Sequence, residues 1–97
     1  MRFVRLTIHG RVQGVGYRAF VEHEALRRGL EGWVRNRRDG SVETLIAGEA
    51  LLLDEMIEVC RRGPAVARVE RVDIEEAEAS DLARRMPGER FSMLQTA

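Results

Sequence analysis

The sequence predicts an α+β domain with element order β-α-β-β-α-β, in which both helices cover one face of an antiparallel sheet. Apolar residues alternate near the N-terminus, an Asp-Gly dipeptide separates two strand-like segments, and two segments with helical spacing lie between the strands. Crossover connections in such a chain are right-handed, which brings both helices to the same side of the sheet.

The first strand, turn and helix are predicted from the N-terminal third of the chain. Residues 3–9 alternate, with Val4, Leu6 and Ile8 on one face, as in a half-buried strand. A glycine-rich turn follows at residues 10–16. Residues 17–28 then have the spacing of a helix that ends before Gly29.

The remaining elements follow from a turn signal and a second helical pattern. Asp39-Gly40 favours a tight hairpin between strands at 32–36 and 41–46. Residues 49–62 are predicted to be helical and to end at Gly63-Pro64. The apolar positions of this second helix are Leu52, Leu53, Met56, Ile57 and Cys60.

The C-terminal third is less regular. Val72 and Ile74 alternate with charged residues and predict a fourth strand. The segment 76–90 is highly charged and is expected to be irregular. Residues 91–93 are a candidate for a short additional edge strand.

Length and charge restrict the possible partners. The 97 residues suffice for one domain, residues 1–97, with a single core. The 16 basic and 16 acidic residues cancel, which argues against nucleic acid as a partner. No apolar stretch is long enough to span a membrane, and the N-terminus lacks a signal-peptide pattern. We therefore expect a cytoplasmic protein with no membrane partner. Its small size and the absence of a long apolar surface helix make a monomer the default expectation.

Residue types that are absent exclude several kinds of chemistry. All 16 basic residues are arginine, so a Schiff-base lysine and the lysine of a phosphate-binding P-loop are both excluded. The single cysteine, Cys60, permits neither an intrachain disulfide nor a cysteine metal cluster. His9 and His23 are isolated, are expected to be structural, and predict no metal site.

Five carboxylates are expected to lie on a solvated face rather than in a site. They are Glu43, Glu49, Asp54, Glu55 and Glu58.

The glycine-rich turn has features of an anion site. Glycine permits positive φ and lets backbone N–H groups converge on a ligand. No Ser, Thr, Asp or Asn stands at residues 14–17 to cap the following helix, so its first N–H groups face water or an anion. Arg18 adds a positive charge at the positive end of the helix dipole, which indicates a negative ligand. By itself, however, Gly14-x-Gly16 more often marks a simple turn.

Two blocks of sequence are similar to those of a known family. The segment Gly10-Arg11-Val12-Gln13-Gly14-Val15-Gly16-Tyr17-Arg18, followed by Gly32-Trp33-Val34-Arg35-Asn36 and Asp39-Gly40-Ser41-Val42-Glu43, resembles the acylphosphatases. The resemblance covers nearly the whole chain and weakens after about residue 75. It departs at Tyr17, where phenylalanine is commoner.

This resemblance implies a ferredoxin-like α/β sandwich that hydrolyses the carboxyl-phosphate bond of small acyl phosphates without a cofactor. It implies that Arg18 binds the phosphoryl group and that Asn36 holds the attacking water. The implied cradle of backbone N–H groups comprises Gln13, Gly14, Val15, Gly16, Tyr17 and Arg18. Without the glycine block, Asn36 would be interpreted as an ordinary strand-end residue. The alternative function is a non-catalytic phosphate- or anion-binding module of the same fold.

Overall fold

The computed structural model describes residues 1–97 and has the predicted order of elements, with an added 3₁₀ helix and a fifth strand. The elements are β1 (Arg2–Arg11), α1 (Tyr17–Arg27), β2 (Glu31–Asn36), β3 (Val42–Gly48), α2 (Ala50–Arg62), β4 (Arg68–Glu76), the 3₁₀ helix (Ala79–Arg84) and β5 (Phe91–Met93). Neither α1 nor α2 has the length and apolar character that crossing a membrane requires.

The five strands form one sheet in the order β4-β1-β3-β2-β5. β1 to β4 pair in antiparallel fashion, as predicted, whereas β5 runs parallel to β2. The predicted short edge strand is therefore present and makes the sheet mixed. Both helices cover one face of this sheet, which confirms the ferredoxin-like α+β fold.

The core lies between the sheet and the two helices. Val4, Leu6 and Ile8 are fully buried, as their alternation in β1 predicts. Cys60 of α2 is also fully buried, and burial raises the pKa of its thiol to about 12. At neutral pH this residue is therefore a protonated packing residue, as the sequence predicts.

The opposite face of the sheet is partly covered by the segment that was expected to be irregular. Trp33 and Leu45 are cross-strand neighbours on β2 and β3, and both are buried. The indole Nε1 of Trp33 donates a 2.8 Å hydrogen bond to the carbonyl of Asp81, in the 3₁₀ helix. The expectation that residues 76–90 are irregular was wrong here, because this short helix is fixed by polar contacts and has no apolar periodicity.

Glu43 is another correction, because the sequence placed it on a solvated face. It lies on the central strand β3, and only 6% of the residue is exposed. Its Oε1 accepts hydrogen bonds from Arg35 Nε at 2.7 Å and from Arg37 Nη1 at 2.9 Å. Burial acts to raise the pKa of Glu43, but these hydrogen bonds prevail and hold the pKa below its ordinary value.

The other four carboxylates of that group are exposed, as expected. They are Glu49, Asp54, Glu55 and Glu58.

We expect Glu43→Gln to lower the free energy of unfolding by about 1–3 kcal/mol at neutral pH, because charge-assisted hydrogen bonds become neutral ones. Folding lowers the pKa of Glu43. Its contribution is therefore present above the ordinary glutamate pKa of about 4.3 and is lost as the pH falls through the folded-state value. Urea unfolding at about pH 7 and about pH 3 measures the difference.

The exposed Glu58 on α2 provides the control, since Glu58→Gln removes the same charge from a surface ion pair with Arg61. Its expected effect is below about 1 kcal/mol. A Glu43→Gln difference that persists unchanged at about pH 3 would contradict the ionic role of Glu43.

Candidate active site

The loop between β1 and α1 has a backbone conformation that requires glycine. Gly14 has φ +74° and Gly16 has φ +77°, both in the left-handed region. A Cβ built at either position would meet nothing within 4 Å. The constraint at these residues is therefore the backbone conformation and not a lack of space.

The backbone N–H groups from Gln13 to Ala19 have no acceptor within the protein. None of the backbone hydrogen bonds outside the helices and strands is donated by these residues. Gly16 is the N-cap of α1, no side chain caps the helix, and its first turn has no acidic residue. This run of free donors at a helix N-terminus is suited to holding an anion.

Arg18 and Asn36 line the same pocket, although they belong to different elements. This pocket has a volume of about 170 Å³ and is called the phosphoryl pocket hereafter, after the role that the resemblance implies for its residues. Arg18 lies in the first turn of α1, and Asn36 is the last residue of β2. The lining residues are Val12, Gly14, Gly16, Tyr17, Arg18, Ala19, Asn36 and Met93. The structure thus brings together most of the residues that the resemblance implied.

Two side chains of the loop region, those of Val15 and Tyr17, pack into the protein. Val15 is partly buried and packs against the core. The Tyr17 ring is buried, its hydroxyl donates a 2.7 Å hydrogen bond to the carbonyl of Cys60, and burial raises its pKa well above the ordinary value.

Gln13 fastens the loop to the turn between β2 and β3. Its Nε2 donates hydrogen bonds to the carbonyl of Arg37 at 2.7 Å and to that of Ser41 at 2.9 Å. Both carbonyls belong to the turn that begins directly after Asn36. Sequence reasoning missed this role, since the acceptors lie 24 and 28 residues away and are backbone groups.

The side chains of Arg18 and Asn36 have hydrogen-bonding groups that lack a close partner in the protein. The only hydrogen bond from the Arg18 side chain is a long one of 3.4 Å, from Nη1 to the carbonyl of Leu94. Asn36 uses its backbone carbonyl to accept a 3.0 Å hydrogen bond from Ala97 N–H, and its side-chain amide has no partner in the chain. Sequence reasoning missed Met93 and Leu94 here, because the C-terminal segment carries no local pattern for a site.

The histidines lie outside this pocket. His9 Nε2 is 3.0 Å from Asp73 Oδ2, and His23 is exposed on α1. No group of three or more His, Cys, Asp or Glu side chains is arranged to hold a metal ion.

Fold and pocket together define a small α+β domain in which a glycine-containing loop with free N–H donors joins a strand to a helix. The family model described as acylphosphatase matches residues 4–92. An acylphosphatase of Rhodopseudomonas palustris (strain BisB18) is 59% identical over 92 residues, which cover 95% of this chain and 93% of that protein. The chain therefore belongs to the acylphosphatase family.

Solved structures agree with this assignment. The crystal structure of acylphosphatase from Bacillus subtilis superposes with a TM-score of 0.83 at 39% identity, covering 97% of this chain and 99% of that one. An acylphosphatase from Coxiella burnetii gives a TM-score of 0.83 at 30% identity, with 96% and 92% covered.

We expect Gln13→Leu to lower the free energy of unfolding by about 1–2 kcal/mol, because two hydrogen bonds between loop and turn are lost. Gln13→Glu should destabilise at least as much, since a carboxylate cannot donate to two carbonyls. Urea unfolding gives the energies, and hydrogen exchange of Gly40 N–H, which donates to the Arg37 carbonyl at 3.1 Å, reports on the turn. Exchange as slow as in the unmodified protein would contradict the bridging role.

Proposed function

We propose that this chain hydrolyses acyl phosphates to a carboxylate and inorganic phosphate, by direct attack of water on phosphorus and without a metal ion. Family membership supports the reaction. One observation carries the proposed mechanism: Arg18, Asn36 and loop residues with unpaired N–H groups border a single small pocket.

The loop and Arg18 are proposed to hold the phosphoryl group. The free N–H groups of residues 13–18 supply hydrogen-bond donors to the non-bridging oxygens, and the dipole of α1 favours their negative charge. The planar guanidinium of Arg18 can bind two such oxygens at once. As charge grows on these oxygens in the transition state, donors already in place stabilise it without reorganisation.

Asn36 is proposed to orient the attacking water. Its side-chain amide is free of protein partners and can both accept a hydrogen bond from water and donate one to it. Holding the water in line with the scissile bond lowers the entropic cost of the reaction. A neutral amide also avoids repulsion between a carboxylate and the phosphoryl group.

The chemistry requires neither a general acid nor a protein base. An acyl phosphate is a mixed anhydride, and its leaving carboxylate is already stable as an anion near neutral pH. The water oxygen forms a bond to phosphorus, the bond from phosphorus to the acyl oxygen breaks, and its electron pair leaves with the carboxylate. One proton of the water passes to a phosphoryl oxygen of the substrate, and the other stays on the attacking oxygen, which becomes part of inorganic phosphate. No Asp, Glu or His lines the phosphoryl pocket, which suits this route.

We further propose a single domain, residues 1–97, that acts as a cytoplasmic monomer. The proposed reacting groups all come from one chain, and the lone cysteine is a buried thiol, which suits a reducing compartment. The pocket of about 170 Å³ is small, so it is proposed to hold the phosphoryl end and to discriminate weakly among acyl groups.

Release of inorganic phosphate from acetyl phosphate, measured with and without EDTA, tests the proposed reaction. We expect equal rates in both conditions. Folded protein without turnover would favour the anion-binding module, and activity abolished by EDTA would refute the metal-free mechanism.

Substitutions test the proposed roles. We expect Arg18→Ala to lower kcat/KM on the order of 10³-fold or more, as for other arginines that stabilise phosphoryl transfer. Asn36→Ala should lower kcat by about 10²–10³-fold with KM changed much less, because the lost interaction is made mainly in the transition state. Steady-state kinetics with acetyl phosphate measures both effects.

Arg27 on the same helix is the matched control, since it is exposed and pairs only with Glu24. Arg27→Ala should leave kcat/KM within about twofold, since a surface ion pair contributes little. Near-normal turnover of a folded Arg18→Ala or Asn36→Ala protein would show that the role assigned to that residue is wrong.

A further inference from the structure

A second cavity lies on the face of the sheet opposite the helices. Its volume is about 420 Å³, no hydrophobic residue lines it, and it shares no residue with the phosphoryl pocket. Four arginines border it: Arg5, Arg35, Arg37 and Arg84. We call it the arginine cavity.

The fold explains why these arginines meet. Successive side chains of a strand point to opposite faces, so Arg5 of β1 points away from the face that carries the buried Val4 and Leu6. Arg35 on β2 likewise points away from the face that carries Val34 and Asn36. Arg84 comes from the end of the 3₁₀ helix, which packs on this side of the sheet.

The carboxylates in the arginine cavity do not satisfy these guanidinium groups. Glu43 accepts one hydrogen bond each from Arg35 and Arg37. Arg5 forms two long ion pairs without a hydrogen bond, since its Nε is 3.8 Å from Glu43 Oε2 and 3.9 Å from Glu75 Oε1. Arg84 forms no ion pair and no side-chain hydrogen bond.

Asp39, the third carboxylate that lines the arginine cavity, already accepts hydrogen bonds from a neighbouring residue. Asp39 Oδ1 accepts hydrogen bonds from Ser41 N–H at 2.9 Å and from Ser41 Oγ at 2.6 Å. Four guanidinium groups therefore face three carboxylates, which leaves a net positive charge and many unpaired N–H donors.

Part of the arginine cavity is held rigidly. The Arg35 side chain is only 12% exposed, and its Cζ lies 4.9 Å from the centroid of the Trp33 ring. The contact with Trp33 and the ion pair with Glu43 fix this guanidinium before any ligand arrives. Arg35 therefore contributes a fixed positive charge to the cavity wall, whereas the donors left for a ligand belong mainly to Arg5 and Arg84.

We propose that the arginine cavity binds a small oxyanion of the phosphate class at a site separate from the phosphoryl pocket. Guanidinium forks match the oxygen geometry of such anions, and the negative charge of the ligand compensates the excess positive charge that the carboxylates leave. Arg5 and Arg84 supply the main contacts, because Arg35 and Arg37 are committed to Glu43. The proposal does not depend on the catalytic roles of Arg18 and Asn36.

A titration with inorganic phosphate at about pH 7.5, followed by ¹H–¹⁵N NMR at constant ionic strength, tests this proposal. The Nε–H signals of Arg5 and Arg35 report on the arginine cavity, and the backbone N–H signals of Gly14 and Gly16 report on the phosphoryl pocket. We expect saturable chemical-shift changes in both sets of signals, with a separate dissociation constant for each site.

The double variant Arg5→Gln/Arg84→Gln should weaken phosphate binding at the arginine cavity, followed through Arg35, by about tenfold or more. Binding at the loop should change by less than about threefold, the residual effect of net charge. The control Arg62→Gln/Arg68→Gln removes the same charge at two exposed arginines without ion pairs. It should change the phosphate dissociation constant of the arginine cavity by less than about threefold. If the double variant does not fold, Arg84→Gln alone replaces it, since Arg84 contacts no partner.

Three outcomes would overturn the proposal. One is the absence of saturable shifts at Arg5 and Arg35 when sodium chloride of equal ionic strength is the reference. Another is that the double variant and its control weaken phosphate binding at the arginine cavity equally, which would indicate a general effect of net charge. The third is loss of the arginine-cavity shifts in Arg18→Ala, which would assign them to the phosphoryl pocket. Absence of acyl phosphate hydrolysis would leave all three readouts unaffected.

Discussion

The uncapped start of α1 is the constraint on which the site depends. A side-chain cap commonly satisfies one of the first N–H groups of a helix, and glycine in place of such a cap costs only about a few tenths of a kcal/mol. Here Gly16 occupies the N-cap position in a left-handed conformation, and no side chain accepts from the helix. The chain thus gives up a small amount of local stability and keeps a row of donors free. Such a trade between stability and ligand binding is common at functional sites.

Strand order brings Asn36 to these donors. β1 and β2 are both antiparallel to β3, which lies between them, so β1 and β2 run parallel to each other. Their C-terminal ends therefore meet at the same edge of the sheet. The loop leaves β1 at this edge, and Asn36 ends β2 there. Gln13 then joins loop and turn through two hydrogen bonds, so the distance between the two parts does not depend on the strands alone.

Local patterns in the sequence predict most of this fold. Alternation identifies β1, Asp39-Gly40 places the hairpin, and the lack of cap residues at 14–17 indicates the free helix start. The parallel direction of β5 and the 3₁₀ helix could not be predicted, because both are fixed by hydrogen bonds to distant residues such as Trp33. The burial of Glu43 could not be predicted for the same reason, since it depends on residues of neighbouring strands. A glutamate on a strand looks solvated until neighbouring strands place Arg35 and Arg37 around it.

The candidate site can be predicted from the sequence to a similar extent. Sequence motifs identify the loop and Asn36, whereas the Gln13 bridge and the carbonyl of Leu94 beside Arg18 arise only when separate segments pack together. The pairing of Arg18 with Asn36 required the resemblance, because no local property distinguishes this asparagine from other strand-end residues.

The alternation of β2 separates two polar surfaces that are adjacent in sequence. Asn36 faces the helices and the phosphoryl pocket, while Arg35 and Arg37 border the arginine cavity on the opposite face. A shift of one residue in the pairing of β2 with β3 would exchange these faces and would also expose Val34, which is fully buried. The packing of the apolar core therefore fixes which face receives the asparagine. It keeps the guanidinium groups of Arg35 and Arg37 away from the water that Asn36 is proposed to hold.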